Sequence, residues 1–266
     1  MSAHSWGVDY INAPSFWSHS RGAEQVVAVL DTGIDDSHSI LRGRVIHATG
    51  DYVDDIGHGT HVAGIIATVA PECRILNVKT NAVGGLIQAI RFATNWRGAN
   101  GERVSVMNIS QSVDYDNVGL EMAICDAVTS EILVVCAAGN QGDGDINTNE
   151  IKFPAAYPEV IQVGAIDQKG NLADFSNTNN EVDYVAPGVD IWSCGRFGSW
   201  AMMSGTSQAT PFIAGAALLV KAYVEEKLGR VLSVSELRGY LRQLAKEIGC
   251  LYPTLDLSLP LHLEFD

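Results

Sequence analysis

The sequence predicts a three-layer α/β fold, a mainly parallel sheet flanked by helices, and two observations carry that prediction. Apolar runs of strand length alternate with helix-like stretches through most of the chain. The runs are nearly continuous in hydrophobic residues, as strands are when helices cover both faces of a parallel sheet; half-exposed strands alternate instead. In order, VVAVLD (26–31) reads as a strand, 59–69 as a helix, RILNVK (74–79) as a strand and 84–97 as a helix. VSVMNIS (104–110), the helix-like 118–130 and ILVVCAA (132–138) continue the alternation. The polar, glycine-rich 138–152 is a loop, and VIQVGAI (160–166) resumes strand character. An apolar helix starts at Thr206, and SVSELRGYLRQLAKEI (233–248) sets a Ser-x-x-Glu capping signal ahead of apolar residues spaced by three and four. No linker, repeat or low-complexity segment divides the chain, so 1–266 is expected to form one domain.

The 266 residues suffice for one large core. Lys and Arg number 17 against 31 Asp and Glu, a net charge of −14 that repels phosphate backbones and anionic lipid heads. Nucleic acid and membrane are therefore not expected as partners. The five cysteines are odd in number, widely spaced and mostly inside apolar runs, which fits reduced, buried thiols better than a disulfide framework or a zinc site. The N-terminus lacks a basic start followed by an apolar stretch, and no apolar run reaches about 18 residues, so the expectation is a soluble, cytoplasmic protein.

Three short motifs carry chemistry. Asp31 closes an apolar strand, at the sheet edge where α/β proteins build their sites, although a strand-ending Asp serves equally as a cap. His58 stands in GHGTHVAGIIA, between glycines that permit close backbone approach. His61 follows three residues later, but the His-Glu-x-x-His pattern of metalloproteases is absent, so His58 reads as a base and His61 as a structural neighbour rather than a metal pair. Ser207 lies where a glycine turn enters an apolar helix, whose free N–H groups favour negative charge on an attacked carbonyl oxygen. The alternative is an ordinary helix cap made by Thr206 or Ser207.

VAVLDTGID, GHGTHVAG and GTSQATP closely resemble the three signature motifs of the subtilisin-like serine protease family, in the order Asp, His, Ser. VVCAAGNQGDGD and FPAAYPEVIQVGA look like the segment between the second and third, and the resemblance covers about residues 5–245. VVCAAGNQGDGD is most like the intracellular bacterial subtilisins. The resemblance implies a serine endopeptidase in which Ser207 attacks the peptide carbonyl, His58 carries the proton and Asp31 orients the imidazole. It assigns Asn140 to the oxyanion hole, Ser110, Gln111 and Ser112 to one wall of the cleft, and Ala138 and Gly139 to substrate binding. No cofactor is implied as a requirement.

The sequence departs from the family in four places. Ser112 replaces a glycine and narrows the cleft. Lys152 falls where many subtilisins have a small residue at the base of the primary specificity pocket, and Gln141 replaces an acid at its rim; a cation with no nearby acid would favour Glu or Asp on the acyl side of the scissile bond, unless Lys152 points to solvent. The family's tight calcium site is expected to be absent, because Ile40 stands at one ligand position and 67–71 has no room for the loop that supplies the rest. A weaker cation site from the carbonyls of Ala155, Tyr157 and Val160 with Asp183 stays open. Finally, 251–266 is atypical: Leu255, Leu257, Leu259, Leu261 and Leu263 alternate as in a half-buried edge strand that covers the chain's own domain, binds a neighbouring copy or masks the cleft. Restricted specificity, an inhibitory pro-segment or a partner such as a second copy of the chain is the expected restraint on such an enzyme. The rival reading is a non-catalytic homologue that binds peptides in an occluded cleft.

Overall fold

The computed structural model describes residues 5–47, 52–80 and 83–263. Two short helices, α1 (Trp6–Tyr10) and α2 (Ala13–Phe16), precede β1 (Val26–Asp31) and β2 (Val45–His47). Then come α3 (His58–Val69), β3 (Arg74–Lys79), α4 (Val83–Asn95), β4 (Val106–Ile109), α5 (Val118–Thr129), β5 (Leu133–Ala137) and β6 (Ile161–Ile166). β7 (Tyr184–Pro187), the hairpin β8 (Ile191–Cys194) and β9 (Trp200–Met203), the long α6 (Thr206–Leu228), α7 (Val234–Gln243), β10 (Ala245–Lys246) and β11 (Thr254–Leu255) complete the order.

Seven strands form one sheet in the order β2-β3-β1-β4-β5-β6-β7, and every neighbouring pair is parallel. The predicted α/β architecture is therefore the observed one. All six residues of β1 are buried, which explains its unbroken hydrophobic run. Val27 and Val29 point into a core shared with α3 and α6, while Val26, Ala28 and Leu30 point into a second core shared with α4 and α5. Small residues let the first layer pack closely. A side chain at Gly215 of α6 would meet Val69 of α3 at 2.7 Å, and one at Gly64 of α3 would meet the Cys194 sulfur at the same distance.

Several boundaries differ from expectation for tertiary reasons. The helix expected over 233–248 does open with the capping box of Ser233 and Glu236, but it ends at Gln243 because Ala245 and Lys246 pair antiparallel with Leu255 and Thr254. The extended reading of 251–266 shrinks accordingly to a two-residue strand. Leu255 and Leu257 are buried in the main core, and Leu259, Leu261 and Leu263 pack half-buried against it, so the segment covers its own fold; 264–266 lie outside the described residues. Asp256 anchors it, accepting hydrogen bonds from Asn12 Nδ2, Lys246 Nζ and Ser258. Burial pushes the Asp256 carboxyl up, yet these bonds outweigh it and bring the pKa down to about 2.

Candidate active site

Asp31, the last residue of β1, is 1% exposed at the C-terminal edge of the sheet. Its Oδ1 accepts from Thr32 N and faces His58 Nδ1, each at 2.7 Å. His58 is the first residue of α3, and Gly57 before it has φ +97, a left-handed conformation that favours glycine. Gly59 presses its backbone onto Asp31 and Gly33, so no larger residue fits there. The turn is held by a residue the motif reading passed over. Asp54 is buried and accepts from Thr32 Oγ1, Ile56 N and Gly57 N through Oδ1, and from Thr60 N and Oγ1 through Oδ2. Burial raises the Asp54 pKa, but these donors outweigh it and hold the carboxyl ionised. For His58, burial opposes protonation; the hydrogen bond and charge of Asp31, with the charge of Asp54 behind it, win and raise the pKa above 6.5.

Ser207 occupies the second position of α6. Pro211, four residues on, has no N–H, so the Ser207 carbonyl cannot receive its helical hydrogen bond. Ser110 Oγ supplies one at 3.0 Å, and Ser207 Oγ in turn donates to Ser110 O at 3.1 Å. The Ser207 hydroxyl thus rests on the Ser110 carbonyl, while His58 is engaged through Nδ1 with Asp31. Neither Thr206 nor Ser207 caps the helix, since the cap is Gly205 and no side chain bonds there. Thr206 instead fixes Asn140: its N and Oγ1 both donate to Asn140 Oδ1, at 2.8 and 3.0 Å, which leaves the amide nitrogen as the outward donor. Thr206 N is used this way and Gln208 N bonds Gly205 O, so the N–H of Ser207 is the donor left at the helix tip.

His61 stands apart from this chemistry. Its Nε2 lies 3.0 and 3.2 Å from the carbonyls of Ile191 and Ala201, tying α3 to the hairpin, and burial drives its pKa down to about 4. Among the described residues no group of three His, Cys, Asp or Glu side chains could hold a metal.

The residues expected to bind substrate lie beyond the ends of β4 and β5. Ala138 follows β5 and is buried; Gly139 N donates to Thr206 Oγ1 at 3.2 Å. Val113 and Phe153 exchange two backbone hydrogen bonds, which brings Lys152 beside Asp114. Two expectations about Lys152 are corrected here. It does not point to solvent: a side chain at Gly139 would meet Lys152 Cγ at 2.9 Å, and only 15% of the lysine side chain is exposed. Nor does it lack an acid, because its Nζ is paired with the exposed Asp114. Ser112 and Gln141 are exposed at the rim.

The weak cation site is corrected as well. Arg238 of α7 donates to the carbonyls of Glu159 and Val160 at 3.0 and 3.2 Å and to Asp183 Oδ1 at 3.3 Å. A guanidinium therefore stands on two of the four expected ligands. Asp183 is pushed up by burial, against the partial relief of Gln162 N and Arg238.

A family profile described as the subtilase family matches residues 22–256. "Intracellular serine protease" of Paenibacillus polymyxa is 42% identical over 260 residues, covering 88% of this chain and 78% of that protein. "Major intracellular serine protease" of Bacillus subtilis (strain 168) is 39% identical over 264 residues, covering 88% and 80%. "Subtilisin Savinase" of Lederbergia lenta is 36% identical over 261 residues, covering 92% of each.

Proposed function

The chain belongs to the subtilase family, and from that membership we propose that it is a serine endopeptidase working through Asp31, His58 and Ser207. The observation that carries the proposal is the 2.7 Å contact between Asp31 and His58 at a sheet edge shared with Ser207. A turn about χ1 takes the Ser207 hydroxyl from Ser110 O toward His58, which removes its proton as the oxygen attacks the peptide carbonyl and returns it to the leaving amine. Asn140 Nδ2 and Ser207 N–H receive the oxyanion; both are fixed beforehand, so no reorganisation opposes the step. Asp31 holds the imidazole tautomer and offsets its positive charge. Water then repeats the sequence on the acyl enzyme.

On the acyl side, Lys152 supports a preference for Glu or Asp, with Asp114 as the competitor that a substrate carboxylate must displace. An exposed partner is weakly held, at about 0–1 kcal/mol, so displacement is feasible. A cytoplasmic setting is proposed from the two relatives named intracellular; among the described residues no helix is long and apolar enough to cross a membrane. The resting contact of Ser207 on Ser110 O favours a second reading, a peptide binder with an idle site. A fluorophosphonate probe separates them: stoichiometric labelling that is lost in Ser207→Ala supports the enzyme, and unlabelled folded protein would leave only the binder. Faster cleavage after Phe than after Glu in paired peptides would remove the acidic preference alone.

A further inference from the structure

Taking the chain as an endopeptidase, we infer that Arg196, at the tip of the β8–β9 hairpin, is a positioning residue that holds the turn carrying His58 in its working place opposite Ser207. His58 and Ser207 stand at the starts of two different helices, and the hairpin connects them. β9 ends at Met203, just ahead of Ser207, so the hairpin feeds that serine directly. Its base is tied to α3: His61 Nε2 faces the carbonyls of Ile191 and Ala201, and Ser193 Oγ donates to His61 O at 2.7 Å. Its tip reaches the turn before α3. The tip closes on itself, Gly195 N donating to Ser199 O and Ser199 Oγ to Arg196 O, each at 2.7 Å, and so forms a braced arm. From this arm Phe197 N donates to Asp35 Oδ2 at 2.7 Å, and Arg196 Nη1 donates to Asp55 O at 2.6 Å.

The Arg196 bond matters because of the peptide group it grips. At one end of the Asp55–Ile56 peptide, Ile56 N donates to Asp54 Oδ1 at 3.0 Å; at the other, Asp55 O accepts from the guanidinium. A peptide unit is planar, so holding both ends fixes its plane just ahead of the base. The arginine stem continues across the turn: a side chain at Gly57 would meet Arg196 Cδ at 3.4 Å, at the glycine whose left-handed φ leads the chain into α3. The Phe197 ring lies 4.7 Å from the guanidinium carbon and steadies it. Buried Asp54 thus grips the turn from inside and Arg196 from the surface. Two local costs mark the tip. Phe197 keeps φ 58 although its side chain is 80% exposed, and Arg196 Nε is buried without a partner among the described residues. With Phe197 so exposed, burial of apolar surface does not offset them; what the tip secures is its contact with the turn. Without the guanidinium the Asp55–Ile56 peptide keeps one anchor, and the imidazole samples orientations that no longer meet the Ser207 hydroxyl. A misplacement of about 1 Å at such a pair costs up to about 10²-fold in rate.

The test compares Arg196→Met, which keeps a stem over Gly57 but no donor, with Arg196→Lys, whose ammonium can make the single bond to Asp55 O. kcat and KM are measured on paired peptides with Glu or Phe on the acyl side, and each rate is divided by the concentration of sites titrated with a fluorophosphonate, so unfolded protein drops out. Arg196→Met is expected to lower kcat per titrated site roughly five- to thirty-fold with KM within about two-fold, and to slow fluorophosphonate labelling in parallel. Arg196→Lys should return kcat to within about three-fold of the native value. A merely structural arginine would reduce the number of titratable sites and leave the rate at each one unchanged. That outcome, a loss confined to KM, or equal losses of kcat in the two variants overturns the role given to Arg196 while the endopeptidase stands. Native protein that neither labels nor cleaves removes both.

Discussion

The reciprocal contact between Ser110 and Ser207 makes a quantitative prediction about what Pro211 costs the helix that carries the nucleophile. Ser110 is 5% exposed, and its hydroxyl serves two groups: it donates to the Ser207 carbonyl left without an N–H partner, and it accepts from Asn108 Nδ2 at 3.0 Å. Ser110→Ala would strand both. At about 1–3 kcal/mol for each buried unpaired group, the loss should be about 2–6 kcal/mol. With roughly 2–4 °C per kcal/mol for a chain of this size, that is roughly 4–24 °C in Tm. Pro211→Ala restores an N–H aimed at the Ser207 carbonyl, so in that background Ser110→Ala strands only Asn108 and its cost should fall by about 1 kcal/mol or more. Changes in unfolded-chain entropy and in packing at 211 occur in both arms and cancel. Urea unfolding of the four corners, all carrying Ser207→Ala to prevent self-digestion, measures the coupling. A Ser110→Ala cost that agrees within about 0.3 kcal/mol in the two backgrounds would refute the account.

Two other outcomes follow from the charges around the site. In the proposed mechanism His58 acts as a base only when neutral, and its folded pKa is raised, so kcat/KM should climb with pH along a limb centred above 6.5; Asp54→Asn removes one of the charges that raise it and should move the limb to lower pH, whatever it does to kcat. A limb that stays in place or moves up counts against the role given to Asp54. Arg238 supplies the positive charge at Asp183, so chelators should leave the Tm of the native protein unchanged, whereas Arg238→Ala should cost about 1–3 kcal/mol and make Tm respond to added calcium or potassium. A chelator-sensitive native protein contradicts this.

The parts legible in the sequence are those encoded locally. β1 announces itself because both of its faces are buried, and Asp31, His58 and Ser207 each sit in a glycine-marked turn whose spacing survives without knowledge of distant contacts. Asp54 is not singled out by the sequence because it is one of three acids in DYVDD (51–55), and nothing local says that five donors converge on it. The acid beside Lys152 is invisible to counting, since Asp114 lies 38 positions away and meets it only through the Val113–Phe153 bridge. The same holds for Arg238, 55 positions from Asp183, and for the end of α7, which is set by a strand that returns from beyond Cys250. Wherever a departure depends on a pairing across the fold, composition and periodicity carry no trace of it.

That pattern also settles which charges govern the approach of substrate. Both lysines bordering the cleft, Lys79 and Lys152, are largely covered and each is matched by an exposed aspartate, Asp55 or Asp114. At distances beyond a Debye length of about 8–10 Å the net charge of −14 dominates the approach. On the proposed acyl-side preference, an acidic peptide is repelled at long range and favoured only after contact, where its carboxylate competes with Asp114 for Lys152. Salt screens the first effect more than the second, because the lysine end of the pair is shielded from solvent. For a peptide with Glu on the acyl side and net negative charge, kcat/KM should therefore increase as ionic strength is raised from about 10 to 150 mM, while a neutral Phe peptide stays nearly flat. Asp114→Asn should raise the Glu value at every ionic strength and keep the upward slope. A falling slope for the Glu peptide in the native protein would mean that attraction to Lys152 already outweighs the surface field at long range, and that Asp114 does not neutralise it.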